Sequence, residues 1–156
     1  MQDTRSKQWL TLLDLLKKTE VTLEFIGTNL EAEWKKVFLN AVLNPCVSLL
    51  NSPNGEMVSN DYLKALFPLL TTEVRKVAAS EEIDLEKVND EQLTGIISNS
   101  AENFNSHLVD LMNKQRSEID FTLGAVVKKA YQNKIEVPHL ATLLLLYKAM
   151  QLKRLR

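Results

Sequence analysis

The 156-residue chain is short of turn-making residues: it has four glycines and four prolines, about 5% of its length where roughly 12% is ordinary. So few breakers predict a mostly helical protein. The glycines, Gly27, Gly55, Gly95 and Gly124, lie far apart, so no glycine-rich loop can wrap a phosphate as a dinucleotide fingerprint or a P-loop does. A single cysteine, Cys46, permits no internal disulfide and suits a reducing compartment. His107 and His139 stand alone, and no cluster of Cys or His has the spacing that holds a metal. A formal net charge of -1 argues against nucleic acid as a partner. The longest apolar run, Leu140 to Tyr147 with Thr142 inside it, is too short to cross a bilayer. The N-terminus carries Asp3, Arg5 and Lys7 rather than an apolar signal core. These absences leave a soluble, cytoplasmic, helical protein as the expectation.

What is present is helical periodicity. Trp9, Leu10, Leu12, Leu13, Leu15 and Leu16 fall at helical spacing before Lys17 and Lys18, which predicts an amphipathic helix over 8–19 with cations at its C-terminal end. Val21 to Ile26 is β-branched, aromatic and largely alternating, the pattern of one short strand closed by Gly27. A lone strand has no partner for its backbone hydrogen bonds, so residues 1–27 read as the last helix and strand of a larger α/β unit. Residues 28–156 read as a separate all-helical domain. A long helix is expected over about 30–50 with an interruption at Pro45, then a turn at Ser52-Pro-Asn-Gly55. Asn60 or Asp61 would cap the next helix, bent at Pro68, and the acidic stretch from Glu81 to Glu91 would be a solvated connection. Further helices are expected over 91–98, 117–132 and 139–152, with a polar Asn/Ser segment between the first two of these.

Three constellations could carry chemistry. Lys36, Asn40 and Asn44 recur at i, i+4 and i+8, forming one polar stripe on the long helix. It lines either a pocket for a polar anion, with one cation and two amides, or a solvated helix face ending at an Asn-Pro stop. Asn103-Phe-Asn-Ser106 is followed four residues on by Asp110. Ser117-Glu118-Ile-Asp120 would open a helix, with Ser117 as its cap. Gly124 inside a helix costs about 1 kcal/mol relative to alanine, which suggests close approach of a backbone or ligand. Cys46, in an apolar stretch with no histidine near it in sequence, reads as a buried inert thiol. Lys148, Lys153, Arg154 and Arg156 read as complements to a helix dipole.

Taken together, these segments resemble the helical C-terminal domain of the ketopantoate reductases (2-dehydropantoate 2-reductases). The run Trp34-Lys-Lys36-x-x-x-Asn40-x-x-x-Asn44-Pro45, followed by Asn51-Ser-Pro-Asn-Gly55-Glu, looks like that family's central helix and following turn. Asn103-Phe-Asn-Ser106-x-x-x-Asp110, then Ser117-Glu118-Ile-Asp120 and Gly124, looks like its second signature, and Val137-Pro138 before the last helix agrees. The likeness covers about residues 20 to 150.

The resemblance implies an all-α, multi-helix domain of the 6-phosphogluconate dehydrogenase C-terminal type, preceded by the remnant of a missing N-terminal Rossmann domain. It implies NADPH-dependent reduction of ketopantoate to pantoate, a step towards pantothenate, with the cofactor held mainly by that other domain, no metal, and a homodimer. By the same resemblance Lys36 would be the catalytic lysine. Glu118 would be a catalytic acid near the lysine and the cofactor ribose. Asn40, Asn44, Asn103 and Ser106 would bind substrate, and Asp110 carries no assigned role. His107 departs from the small apolar or methionine residue usual there. The alternatives are a reductase of another 2-oxo acid, or a helical oligomerisation module without catalysis.

Overall fold

The computed structural model describes residues 11, 14–16, 18, 19, 29–85 and 88–156. Residues 11 and 14–16 are helical, as the leucine spacing there predicts. The strand expected over 21–26 and the division at residue 27 lie outside the described residues. Among the described residues every regular element is helical.

The architecture is built on α1 (Asn29–Leu49), which packs against α2 (Glu56–Ser59), α3 (Asp61–Ala79), α5 (Ser106–Met112), α6 (Leu123–Gln132) and α7 (Pro138–Arg154). The reason is its composition: Phe38, Ala41, Val42, Leu43, Cys46 and Val47 are all buried, so its C-terminal half is apolar around most of its girth and must be enclosed. The same enclosure overrides the expected interruption. Pro45 has no N–H for the preceding turn, yet the helix runs through it to Leu49, held by the packing of Cys46, Val47 and Ser48 on the far side. α3 likewise continues through Pro68.

Three of the helices begin on asparagine. Asn60 accepts from the N–H groups of Tyr62 and Leu63 to start α3. Asn89 accepts from Gln92 to start α4 (Asp90–Asn99), and Asn105 accepts from Leu108 to start α5. These are the side-chain caps that free N-terminal N–H groups require. Several helices end in a way that explains how the chain manages with so little glycine. Asn51, Glu82, Lys114 and Lys134 all have positive φ, between 54° and 59°. At each, the next residue's N–H reaches back to the final helical turn: Ser52 to Val47, Ile83 to Ala78, Gln115 to Asp110 and Ile135 to Ala130. This is the left-handed closure normally given to glycine, here built from side chains that tolerate it at a cost.

Several expectations need correction. The polar stretch after α4 contains a helix, α5, stabilised by the Asn105 cap and by burial of Leu108 and Leu111. The helix expected over 117–132 is split into a 3-10 turn (Glu118–Asp120) and α6, because Thr122 leaves helical geometry with φ -106° and ψ -98°. Ser117 stands at the start of that turn but makes no capping bond. The acidic connection is tied down rather than merely solvated: Glu81 pairs with Lys129 at 2.7 Å, and Leu85 and Val88 are buried. Asp90 pairs with Arg75, whose guanidinium also donates to the Val88 carbonyl and lies 5.3 Å from the Phe38 ring. Lys148 pairs with Asp120, and Arg154 donates to Asn51. Both therefore make side-chain bonds across the fold rather than serving only the helix dipole.

Candidate functional site

The polar stripe on α1 is graded. Lys36 is exposed, Asn40 half-buried and Asn44 only 4% exposed. Helical rise separates the two ends by roughly 12 Å. The stripe thus runs from the surface into the core, ending beside Ser48, where α1 meets α5.

Two turns dock on that end. The first is the Ser52–Gly55 turn, which grips the segment carrying Asn103: the Asn54 N–H donates to the Asn103 carbonyl and the Gly55 N–H to the Ala101 carbonyl, both at 2.9 Å. Gly55 is required here, because a Cβ on it would come within 2.9 Å of the Ala101 Cβ. The second is the start of α5. The Asn105 side-chain oxygen accepts from the Leu108 N–H and also from the Ser48 hydroxyl at 3.1 Å, which ties the residue before Ser106 to α1. Asn103 and Ser106 themselves are exposed.

Beneath Ser106 lies His107, buried, with its ring edge-on to Tyr147 and the centroids 6.0 Å apart. Burial pushes the imidazole below its ordinary value, and the negative charges of Asp110 and Glu118 partly oppose that. Glu118 is a neighbour of the Ser106 turn through Tyr147, which meets His107 with its ring and bonds Ser117 with its hydroxyl. Its own turn is held by Ser117, whose N–H and hydroxyl both donate to Gln151 Oε1, at 3.0 and 2.9 Å. The Tyr147 hydroxyl donates to Ser117 at 2.9 Å. Burial raises the Tyr147 phenol above its usual range, with the Ser117 hydrogen bond acting against the rise.

The fold thus brings Ser106 and Glu118 to one region and anchors Asn103 and Asn44 around the same end of α1. Among the described residues no hydrogen bond or ion pair links Lys36 to Glu118. Gly124 admits a backbone as its helical position suggested: a Cβ there would lie 3.2 Å from the Ile119 carbonyl. Cys46 is buried, and burial raises its thiol to about 12, so it is no nucleophile at neutral pH.

A cleft of about 660 Å³ lies elsewhere, lined by Thr72, Arg75, Lys76, Glu82 and Asp84 among others, and none of the sequence-predicted site residues borders it. Its charged groups are of mixed sign and Arg75 is already paired, so the chemistry favours the α1 end. Residues missed from sequence include Ser48, Asn105 and Gln151. Gln151 had a signal: it lies four residues after Tyr147, on the face that α7 buries. Among the described residues no group of acidic, His and Cys side chains could hold a metal, and no helix is long and apolar enough to cross a membrane.

The domain as a whole is similar to known proteins. The family model described as "Ketopantoate reductase PanE/ApbA C terminal" matches residues 29–151. The 2-dehydropantoate 2-reductase of Pyrococcus horikoshii is 32% identical over 121 residues, covering 78% of this chain and 39% of that protein. The one from Listeria innocua is 32% identical over 120 residues, with 77% and 38% covered. The chain therefore spans about two-fifths of the length of these relatives. A PanE/ApbA family ketopantoate reductase from Ralstonia eutropha JMP134 superposes with a TM-score of 0.79 at 25% identity, over 88% of this chain and 46% of that one. A D-mandelate dehydrogenase structure shares the fold, with a TM-score of 0.80 at 21% identity, over 99% of this chain and 65% of that one. The all-helical fold around α1 and the match across both signatures lead to one conclusion: the chain belongs to the ketopantoate reductase family, in which it corresponds to the helical C-terminal domain.

Proposed function

We propose that this chain supplies the substrate-binding half of an NADPH-dependent reductase of ketopantoate, acting together with a nucleotide-binding Rossmann domain and as a homodimer in the cytoplasm. The observation that carries this reading is the reach of the family match, which contains every candidate residue; it is supported by Tyr147, which meets His107 beside Ser106 and bonds Ser117 beside Glu118.

In this reading Asn40 and Asn44 offer amide donors to the substrate, while Asn103 and Ser106 hold its hydroxyl and carboxylate. Lys36 is the electrophilic and proton-donating group. Reduction adds a hydride to the 2-oxo carbon and leaves negative charge on the former carbonyl oxygen. An ammonium beside that oxygen stabilises the charge and delivers the proton that completes the alcohol. Glu118 orients Lys36 and accepts from a ribose hydroxyl of the cofactor. NADPH, when bound, supplies the hydride. The chain's own donor set fits only that ribose contact, since its four scattered glycines form no phosphate cradle.

The test joins this chain to the nucleotide-binding domain of the Pyrococcus horikoshii relative and follows NADPH oxidation with ketopantoate and with a panel of other 2-oxo acids. Ketopantoate-dependent turnover by the hybrid, with none by the chain alone, is the expected result. Turnover confined to another 2-oxo acid would replace the substrate, and a correctly folded hybrid inactive on all of them would favour a non-catalytic module.

A further inference from the structure

α7 buries Leu140, Leu143 and Tyr147 at helical spacing, and Gln151 follows on the same face. A tyrosine in such a stripe brings a hydroxyl into the core, which must find a partner there. Here the partner is Ser117, and Gln151 takes hold of the same serine one turn later. Proton bookkeeping fixes the direction of the chain. The single Ser117 hydroxyl proton goes to Gln151 Oε1, so the Tyr147 hydroxyl must donate to Ser117 Oγ. Backbone and side chain of Ser117 are thus both held, immediately before Glu118. From the other side, the Glu118 carbonyl accepts from the N–H groups of Phe121 and Thr122. Glu118 is left with a fixed backbone and an exposed carboxylate that makes no hydrogen bond or ion pair among the described residues.

The same tyrosine reaches the second turn. Its ring meets His107 edge-on at 6.0 Å, with the planes 68° apart, and His107 directly follows Ser106. That turn is also held to α1 by the bond from Ser48, itself a neighbour of the Tyr147 hydroxyl, to Asn105. α7 is itself pinned to the end of α1 where Arg154 donates to Asn51.

We propose that Tyr147 and Gln151 are positioning residues for Glu118, acting through Ser117, and that Tyr147 couples this clamp to the turn that carries Ser106. The proposal rests on the functional reading above for the purpose of the clamp, and on the hydrogen bonds alone for its existence. Neither residue touches substrate; each acts through another.

Two readouts test it. The first is amide hydrogen exchange of the chain itself. Tyr147→Phe keeps the ring and removes only the hydroxyl, and Gln151→Leu removes the acceptor at similar size. Each is expected to speed exchange at Ser117 about tenfold or more while Leu70 and Val74 in α3 keep their protection. Unchanged protection at Ser117, or a loss shared equally by α3, overturns the clamp. The second readout is the hybrid enzyme. Tyr147→Phe should lower kcat about tenfold with KM within about twofold, the mark of a misplaced reacting group rather than a lost binding contact. A kcat unchanged by Tyr147→Phe overturns the positioning role. A hybrid that is inactive with every native residue in place overturns the functional reading and the clamp's catalytic purpose with it, while the exchange data still decide whether the clamp exists.

Discussion

Glu73 is a carboxylate only 4% exposed, in the apolar stripe that α3 turns towards α7. Its role follows from an account of the N–H groups that open α7. Pro138, the first residue, has none to offer. The N–H of Ala141 bonds to the Val137 carbonyl. The two that remain, on His139 and Leu140, both donate to Glu73, at 3.1 and 2.9 Å, and the His139 ring adds a third contact at 2.6 Å. Glu73 is thus a cap supplied from another helix, with its negative charge at the positive end of the α7 dipole. Glu73→Ala removes hydrogen bonds worth roughly 1.5–3 kcal/mol each to a charged acceptor and leaves the buried Leu140 N–H without a partner. Water can replace the partner of the exposed His139, so the net loss should be about 3 kcal/mol, or a fall of roughly 6–12 °C in Tm for a chain of this size. Glu73→Gln keeps one strong acceptor and should lose about half as much. Urea denaturation followed by far-UV circular dichroism measures both, given equal m-values. A loss below about 0.5 kcal/mol for Glu73→Ala would refute the reasoning. So would a Glu73→Leu variant more stable than the parent, since that would mean the cost of burying the charge exceeds everything it bonds.

Two other predictions come from the backbone and from a buried base. Glycine at the left-handed helix ends, as in Lys114→Gly and Lys134→Gly, should stabilise the chain by roughly 0.5–1 kcal/mol each, the relief of the φ penalty less the entropy glycine loses on folding. Alanine at the same positions should give no such gain, and a thermal melt separates the two. His107 has a folded value below its ordinary 6.5 because of burial, so between the two values the unfolded chain binds more protons. Its stabilising contribution is therefore complete above about pH 6.5 and is lost as the pH falls through the folded value. Urea midpoints at pH 5.5 and 7.5 should differ less in His107→Met than in the parent chain, and an equal pH dependence in both would count against a buried neutral His107.

The parts of the fold that were legible in the sequence are those written in local spacing. The stripe of Lys36, Asn40 and Asn44 follows from the helical period alone, and so does α7, whose start at Pro138 falls one residue from the expected position. Asn60 as a cap follows from residue type. What was not legible depends on partners far along the chain. Ser117 has the composition of a helix cap, yet its hydroxyl bonds to Tyr147 and Gln151, 30 and 34 residues away, and long-range partners override local preference. α5 escaped because seven residues with two buried leucines give too little periodicity to separate a helix from a polar loop. Pro45 misled because the rule against proline inside a helix describes isolated helices, whereas α1 is enclosed on several sides. Glu73 could have been read: it falls between Leu70 and Val77 in the buried stripe of α3, and a charge in such a stripe requires a partner.

The claim on which the functional account turns is that Lys36 donates to the reacting carbonyl. Its most direct test is the turnover number of the hybrid enzyme with Lys36→Ala, measured at saturating ketopantoate and NADPH beside a circular dichroism spectrum showing an unchanged fold. The account predicts a fall in kcat of about 10²–10⁴, the range for loss of a general acid. A kcat within about threefold of the parent hybrid would contradict it.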